Sequence, residues 1–185
     1  MWSRTVDRIR PRTALRWLLP AAWPVRLVFG AAAAATLFFA AITAQPAIGL
    51  AVVILIAHDI LGLWASFAIH ELGHAVALGT TPEVSAITLE RTSLRLSVTP
   101  HGSILGRDAF LAAVLGPACC VAIGILLWAL APQSLLHVWY LAHGIFLTPL
   151  FADGRTMLRS LTGWSARLPL PDAGAGAGAG AEKTV

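Results

Sequence analysis

Long apolar runs alternate with short polar breaks along most of this chain. The first run, Leu27 to Ala44, ends at Gln45-Pro46. The second, Ala47 to Leu78, is interrupted only by His58-Asp59 and by His70, Glu71 and His74. At about 1.5 Å of rise per residue, the first run just crosses a bilayer core of about 30 Å. The second is longer than one crossing needs and suits a tilted or protruding helix. A cleaved signal peptide competes for the first run, but Ile42 is a weak fit to a small-residue cleavage position, which favours a retained span. A third span, 109–131, contains Gly116-Pro117, and proline inside a spanning helix frees a carbonyl and marks a kink. Pro132-Gln133-Ser134 makes a tight turn before a fourth span, 135–157.

Between the second and third spans the period changes. Thr81-Pro82 ends a helix. Val84 to Leu89 and Leu94 to Val98 are β-branched and partly alternating, which predicts a β-hairpin over 84–98 turning near Arg91-Thr92-Ser93. Pro100, His101, Gly102 and Gly106 then read as a loop. Residues 1–26 mix Arg4, Arg8, Arg10, Arg12, Arg16 and Arg26 with Trp2, Trp17 and Trp23, the composition of a short interfacial helix. Residues 163–185, with their Gly-Ala repeat, form a low-complexity tail. The expected architecture is therefore an all-α polytopic membrane protein. It has about four transmembrane helices (27–44, 47–79, 109–131 and 135–157) in a core over 27–162, with a small cytoplasmic hairpin between the second and third.

Composition supports this. The chain is 57% hydrophobic and 12% charged, about half the charge of a soluble domain. With a cytoplasmic N-terminus, four spans put all 13 Lys and Arg on the inner side, and the two outer turns carry none. This predicts a multi-pass protein of a cell membrane with both termini cytoplasmic and the lipid bilayer as its surroundings. The net charge of +4 flanks apolar runs rather than interleaving with exposed aromatics, which argues against nucleic acid. Cys119 and Cys120 are adjacent, point in different directions on a helix, and read as packing residues rather than a disulfide. Twelve Arg against a single Lys, Lys183, and no Asn at all fit a GC-rich, bacterial coding bias.

The chemistry gathers at His70-Glu71-Leu72-Gly73-His74. Two histidines four apart share a helix face, about 5–6 Å apart at Cβ. So placed, their nitrogens can hold one Zn²⁺ at about 2.0–2.1 Å. Glu71 stands beside them, where a carboxylate deprotonates a water on the metal, a known metalloprotease pattern. A polar cluster that merely packs helices is the competing reading, but ionisable groups in an apolar span are functional by default. Catalytic zinc takes three protein ligands, and Asp153 is the candidate for the third. Its depth in the fourth span, roughly 27 Å from the outer surface against roughly 35 Å for His70, allows the two to meet; an interfacial helix-end residue is the alternative. Asp59 shares the face of His70 about 16 Å away and either lines a water path or, with His58, joins helices. His101, His137 and His143 read as non-ligands, His143 because an unbroken helix puts it about 15 Å from Asp153.

Taken together these residues resemble the site-2 protease family of intramembrane zinc metalloproteases, over about residues 60–162. Ala68-Ile69-His70-Glu71-Leu72-Gly73-His74-Ala75 is similar to its first motif. Val84-Ser85-Ala86-Ile87-Thr88-Leu89 is similar to the strand that follows, Leu115-Gly116-Pro117 to its central Gly-Pro motif, and Asp153-Gly154-Arg155-Thr156-Met157-Leu158 to its Asp-Gly motif. The resemblance implies zinc on His70, His74 and Asp153, Glu71 as general base, and hydrolysis of peptide bonds in a membrane-spanning protein substrate near the cytoplasmic side. It also implies substrate contacts at Val84, Ser85, Ala86, Ile87, Thr88 and Leu89, whose edge would pair with an unwound substrate, and at Gly116 and Pro117. The chain departs from the family in lacking its Asn residues after Gly-Pro and before Asp-Gly. That departure favours the alternative of a zinc-binding membrane protein without protease activity, in a sequestration or immunity role. A small transporter would call for an internal repeat, and residues 27–79 and 109–157 share no motif.

Overall fold

A computed structural model of the chain describes residues 2–7, 9–21, 23–92 and 96–170. Three helices are long and apolar enough to cross a membrane, Trp23–Ile42, Pro46–Gly79 and Gly106–Leu130, and a small antiparallel sheet accompanies them. In chain order the elements are β1 (Trp2–Val6), α1 (Pro11–Leu18), α2 (Trp23–Ile42), α3 (Pro46–Ala57), α4 (Ala65–Gly79), β2 (Val84–Arg91), β3 (Leu96–Leu105), α5 (Gly106–Leu130), α6 (Leu136–Leu141), α7 (Ala152–Thr162) and β4 (Arg167–Pro169).

The second apolar run is one helical body with an irregular middle. A π-helical stretch, His58–Trp64, joins α3 to α4. Widening the helix there offers groups that α6 takes up. The Tyr140 hydroxyl donates to the Leu61 carbonyl at 2.8 Å, and Trp139 Nε1 donates to His58 Nδ1 at 3.0 Å. The Trp139 ring lies against the bare Cα of Gly62. His58 is thus a helix-to-helix contact.

The expected fourth helix over 135–157 is broken. Leu136–Leu141 is α-helical and Ala142–Leu147 is 3₁₀. Thr148 is extended, with φ −79° and ψ 153°. Pro149 explains this, because a residue before proline is pushed out of the helical region. A turn follows, in which the Phe151 N–H donates to the Thr148 carbonyl, and α7 starts afresh. Such breaks are tolerated at membrane depth where protein covers them, and Gly154 packs its Cα onto the Thr148 carbonyl.

The sheet is larger than the expected hairpin, with strand order β1-β2-β3-β4, antiparallel throughout. The hairpin tip at 93–95 lies outside the described residues. Two corrections concern its ends. The N-terminal segment contributes a strand as well as a helix, because β1 lies along Ile87–Arg91 of β2. Pro100, His101 and Gly102, expected in a loop, continue β3, which pairs with β2 through a bulge near Ser85. Proline is compatible with a strand where its nitrogen faces an edge. Part of the expected tail is structured too, since Arg167–Leu105, Leu168–Ile104 and Pro169–Ser103 pair; residues 171–185 lie outside the described ones.

The core joins sheet to helices: Trp17 and Leu18 of α1, Ile87 and Leu89 of β2, Ile104 of β3, Ala68 and Leu78 of α4, Ala109 and Ala112 of α5. Trp17 is fully buried and its indole N–H donates to the Glu90 carbonyl at 2.8 Å, so α1 is nailed to β2. Replacing Trp17 by Ala is expected to destabilise the sheet end by about 3–5 kcal/mol. Trp17→Phe, losing chiefly the hydrogen bond, should cost about 1 kcal/mol. Thermal unfolding of the detergent-purified chain reads both.

Candidate metal centre

The site is built where α4, α5 and α7 meet. Alternation of small residues lets α4 and α5 come together backbone to backbone. A methyl group on Gly73 would lie 2.8 Å from Gly116 Cα, and one on Gly116 would lie 2.7 Å from His74 Nε2 and 2.8 Å from the His70 carbonyl. Gly116 therefore has to lack a side chain for His74 to reach its position. Pro117, fully buried next to it, has no N–H and leaves the Ala113 carbonyl without its helical donor.

His74 is aimed by its far nitrogen. Nδ1 donates to the Ala112 carbonyl at 2.7 Å. A carbonyl can only accept, so the proton sits on Nδ1 and Nε2 presents a bare lone pair. This is the backing that metal-ligating histidines usually have. His70 comes from one turn earlier on the same face, and Asp153 from the first turn of α7, where the helix dipole favours a carboxylate. His70 Nε2 lies 3.0 Å from His74 Nε2 and 3.1 Å from Asp153 Oδ2, and His74 Nε2 lies 3.4 Å from the same oxygen. Ligands held tetrahedrally at about 2.0–2.1 Å from one ion sit about 3.3–3.4 Å apart. The three atoms are at that spacing to within a few tenths of an ångström, so these residues fit a tetrahedral cation with one position open.

Glu71 lies on the wall of the same cavity, of about 560 Å³, with His70, His74 and Asp153. The rest of the wall is mostly apolar and includes Leu96, Val98 and Pro100 of β3 and Phe146 after α6. Of the expected substrate residues, Val84–Leu89 form β2 and are absent from this wall; β2 is paired by β3 on one side and by β1 over Ile87–Arg91 on the other. The sheet edge facing the cavity belongs to β3. The Gly102 carbonyl accepts from Leu170 N–H on the β4 side, while Ser103 N–H donates to the Glu83 carbonyl on the β2 side. Strand alternation then turns Pro100, Val98 and Leu96 outward with Gly102. Among the described residues no strand pairs with that stretch. Gly116 and Pro117 act on the site by closeness of packing.

A second group was not legible in the sequence. One ring nitrogen each of His70 and His143 and the Cys120 sulfur, all three residues buried, lie within 4.8 Å of one another and can hold a metal ion. The expected distance of His143 assumed an unbroken helix, and the 3₁₀ stretch and the turn at Pro149 bring it against His70, with ring centroids 5.1 Å apart. Thr148-Pro149 was the available signal. Cys119 and Cys120 are both free thiols. His101 lies in the sheet, against the Thr88 hydroxyl at 2.7 Å.

No family model matches this chain, no curated protein matches its sequence, and no solved structure matches its fold.

Removing His74 or Asp153 by alanine substitution is expected to lower zinc per chain from about one to near zero, since two remaining protein ligands are fewer than a zinc site uses. Gly116→Ala, which drives a methyl into His74, should weaken zinc by at least about tenfold although no ligand is replaced. Metal analysis of the detergent-purified proteins after zinc supplementation reads each outcome.

Proposed function

We propose that the chain is an intramembrane zinc metalloprotease of the site-2 protease type, acting on a membrane-spanning protein. The observation that carries this reading is the convergence of His70, His74 and Asp153 to 3.0–3.4 Å with Glu71 on the same cavity wall. Zinc held by the three would supply Lewis-acid polarisation of a peptide carbonyl and an acidified water. Glu71, on the cavity wall, would serve as the base that accepts a proton from the attacking water and returns it to the leaving amine. The Ala112 carbonyl keeps His74 in the tautomer that leaves Nε2 bare. The apolar cavity wall strengthens these electrostatic interactions by excluding bulk water.

A peptide bond in a helix is inaccessible until the helix unwinds, and an unwound segment needs new partners for its N–H and C=O groups. The outward edge of β3 at Leu96–Pro100 meets that need beside the cavity, by strand addition. The bilayer reading gives four crossings with both termini cytoplasmic. The last is made by Leu136–Leu147, about 20 Å long, a short span of the kind accommodated by local thinning. The complete lack of Asn favours a second reading, a zinc-binding membrane protein that sequesters rather than cleaves.

Glu71→Gln separates the two. It should keep zinc and lower hydrolysis by about 10²–10⁴-fold. The readout is new peptide termini inside membrane spans, by mass spectrometry of membranes from cells making the wild type or the variant. Zinc in both proteins with identical termini would sink the protease and leave sequestration. Val98→Pro, which deletes an outward N–H but no ladder bond to β2, should cut cleavage by about tenfold, the worth of one or two hydrogen bonds, with zinc content unchanged.

A further inference from the structure

The face of His70 turned away from Asp153 carries polar atoms that the proposed hydrolysis does not use. His70 Nδ1 and His143 Nε2 are both buried without a hydrogen-bond partner, and their residues are 4% and 3% exposed. Unpaired polar atoms at such depth are rare and call for an explanation. Cys120, fully buried, completes the group with its sulfur. The ring of Phe67 lies edge-on to His143 at 4.9 Å and that of Phe146 lies tilted to it at 5.4 Å, and Phe146 also packs on His70 at 4.9 Å, so aromatic carbon surrounds the group.

Protonation states follow from the contacts. His143 Nδ1 donates to the Trp139 carbonyl at 2.9 Å, so the neutral ring presents a bare Nε2. His70 with its proton on Nε2 donates to Asp153 at 3.1 Å, and its Nδ1 is then bare as well. One ring nitrogen each of His70 and His143 and the Cys120 sulfur lie within 4.8 Å of one another among buried residues, and the two ring nitrogens that are bare are the two without a hydrogen-bond partner.

We propose that His70, Cys120 and His143 form a second metal site of two nitrogens and one sulfur, which takes the soft monovalent ion copper(I). Thiolate and imidazole together favour copper or zinc over hard cations. Coordination number decides between them: the group offers three ligand atoms, a set that suits copper(I), whereas structural zinc is almost always four-coordinate; as copper(I) enters, Cys120 loses its proton to solvent. A neutral imidazole has a single bare nitrogen, so His70 serves this site through Nδ1 in the zinc-free protein, where its proton stays on Nε2 against Asp153.

Anaerobic titration of the full-length, detergent-purified, zinc-free chain against copper(I) bicinchoninate tests the proposal, with copper per chain and X-ray absorption as readouts. The wild type, Cys119→Ser and Asp153→Ala should each take up about one copper(I) with one sulfur neighbour. Cys120→Ser and His143→Ala should weaken uptake by at least about tenfold. Serine at 120 can keep the bond that the thiol donates to the Ser66 carbonyl at 3.1 Å, so the fold is retained and circular dichroism checks it. Copper uptake indifferent to Cys120→Ser overturns the proposal, as does copper lost in Asp153→Ala and kept in Cys120→Ser. Zinc bound in a Cys120-dependent way with no copper uptake overturns it too. Loss of protease activity in Asp153→Ala bears only on the outer group, so the two proposals fail independently.

Discussion

The approach of α4 to α5 through Gly73 and Gly116 governs everything else in the site. Without side chains at those two positions the helix backbones touch, and His74 is carried to the Ala112 carbonyl. That bond holds the ring in the tautomer a metal needs. Any side chain at Gly116 would occupy the volume of the His74 ring itself. The ligand geometry is therefore a consequence of backbone packing, which is stiff, rather than of flexible side chains finding one another.

Polar groups in an apolar chain have to be answered locally, and the irregular parts of the helices are where this happens. The π-helical stretch at His58–Trp64 offers the Leu61 carbonyl to Tyr140 and His58 to Trp139. The break at Thr148-Pro149 is answered by a turn and by the close seat of Gly154. The same break sets two residues around His70: Asp153 on one side, through the start of α7, and His143 on the other. A continuous helix would have delivered only the first.

The sheet joins the termini to this centre. β1 and α1 close off β2, with Trp17 anchored to Glu90, and β4 covers only the Ser103–Leu105 end of β3. The stretch that remains open among the described residues is the one beside His70, His74 and Asp153. A protein with exposed strand edges risks aggregation; here the open stretch is short, contains Pro100 and faces a cavity.

The sequence by itself determined what depends on local pattern. The first three apolar runs form helices that begin and end within a few residues of expectation, because length and hydropathy act locally, whereas the run after Pro132-Gln133 is broken at Thr148-Pro149. His70 and His74 were legible as a pair because four residues make one helical turn; Asp153 was reached from a depth that assumed an unbroken helix, and it is the fresh start of α7 that brings it to His70. What tertiary structure alone decided lies in pairings distant along the chain. Trp2–Val6 reads as interfacial until β2 offers it an edge. Pro100 reads as a loop until its nitrogen is found facing away from β2. His143 and Cys120 read as unrelated because their meeting depends on a turn whose direction is set by packing against α4 and α5. Local spacing settles which side chains share a face, and only the packed backbone settles which faces meet.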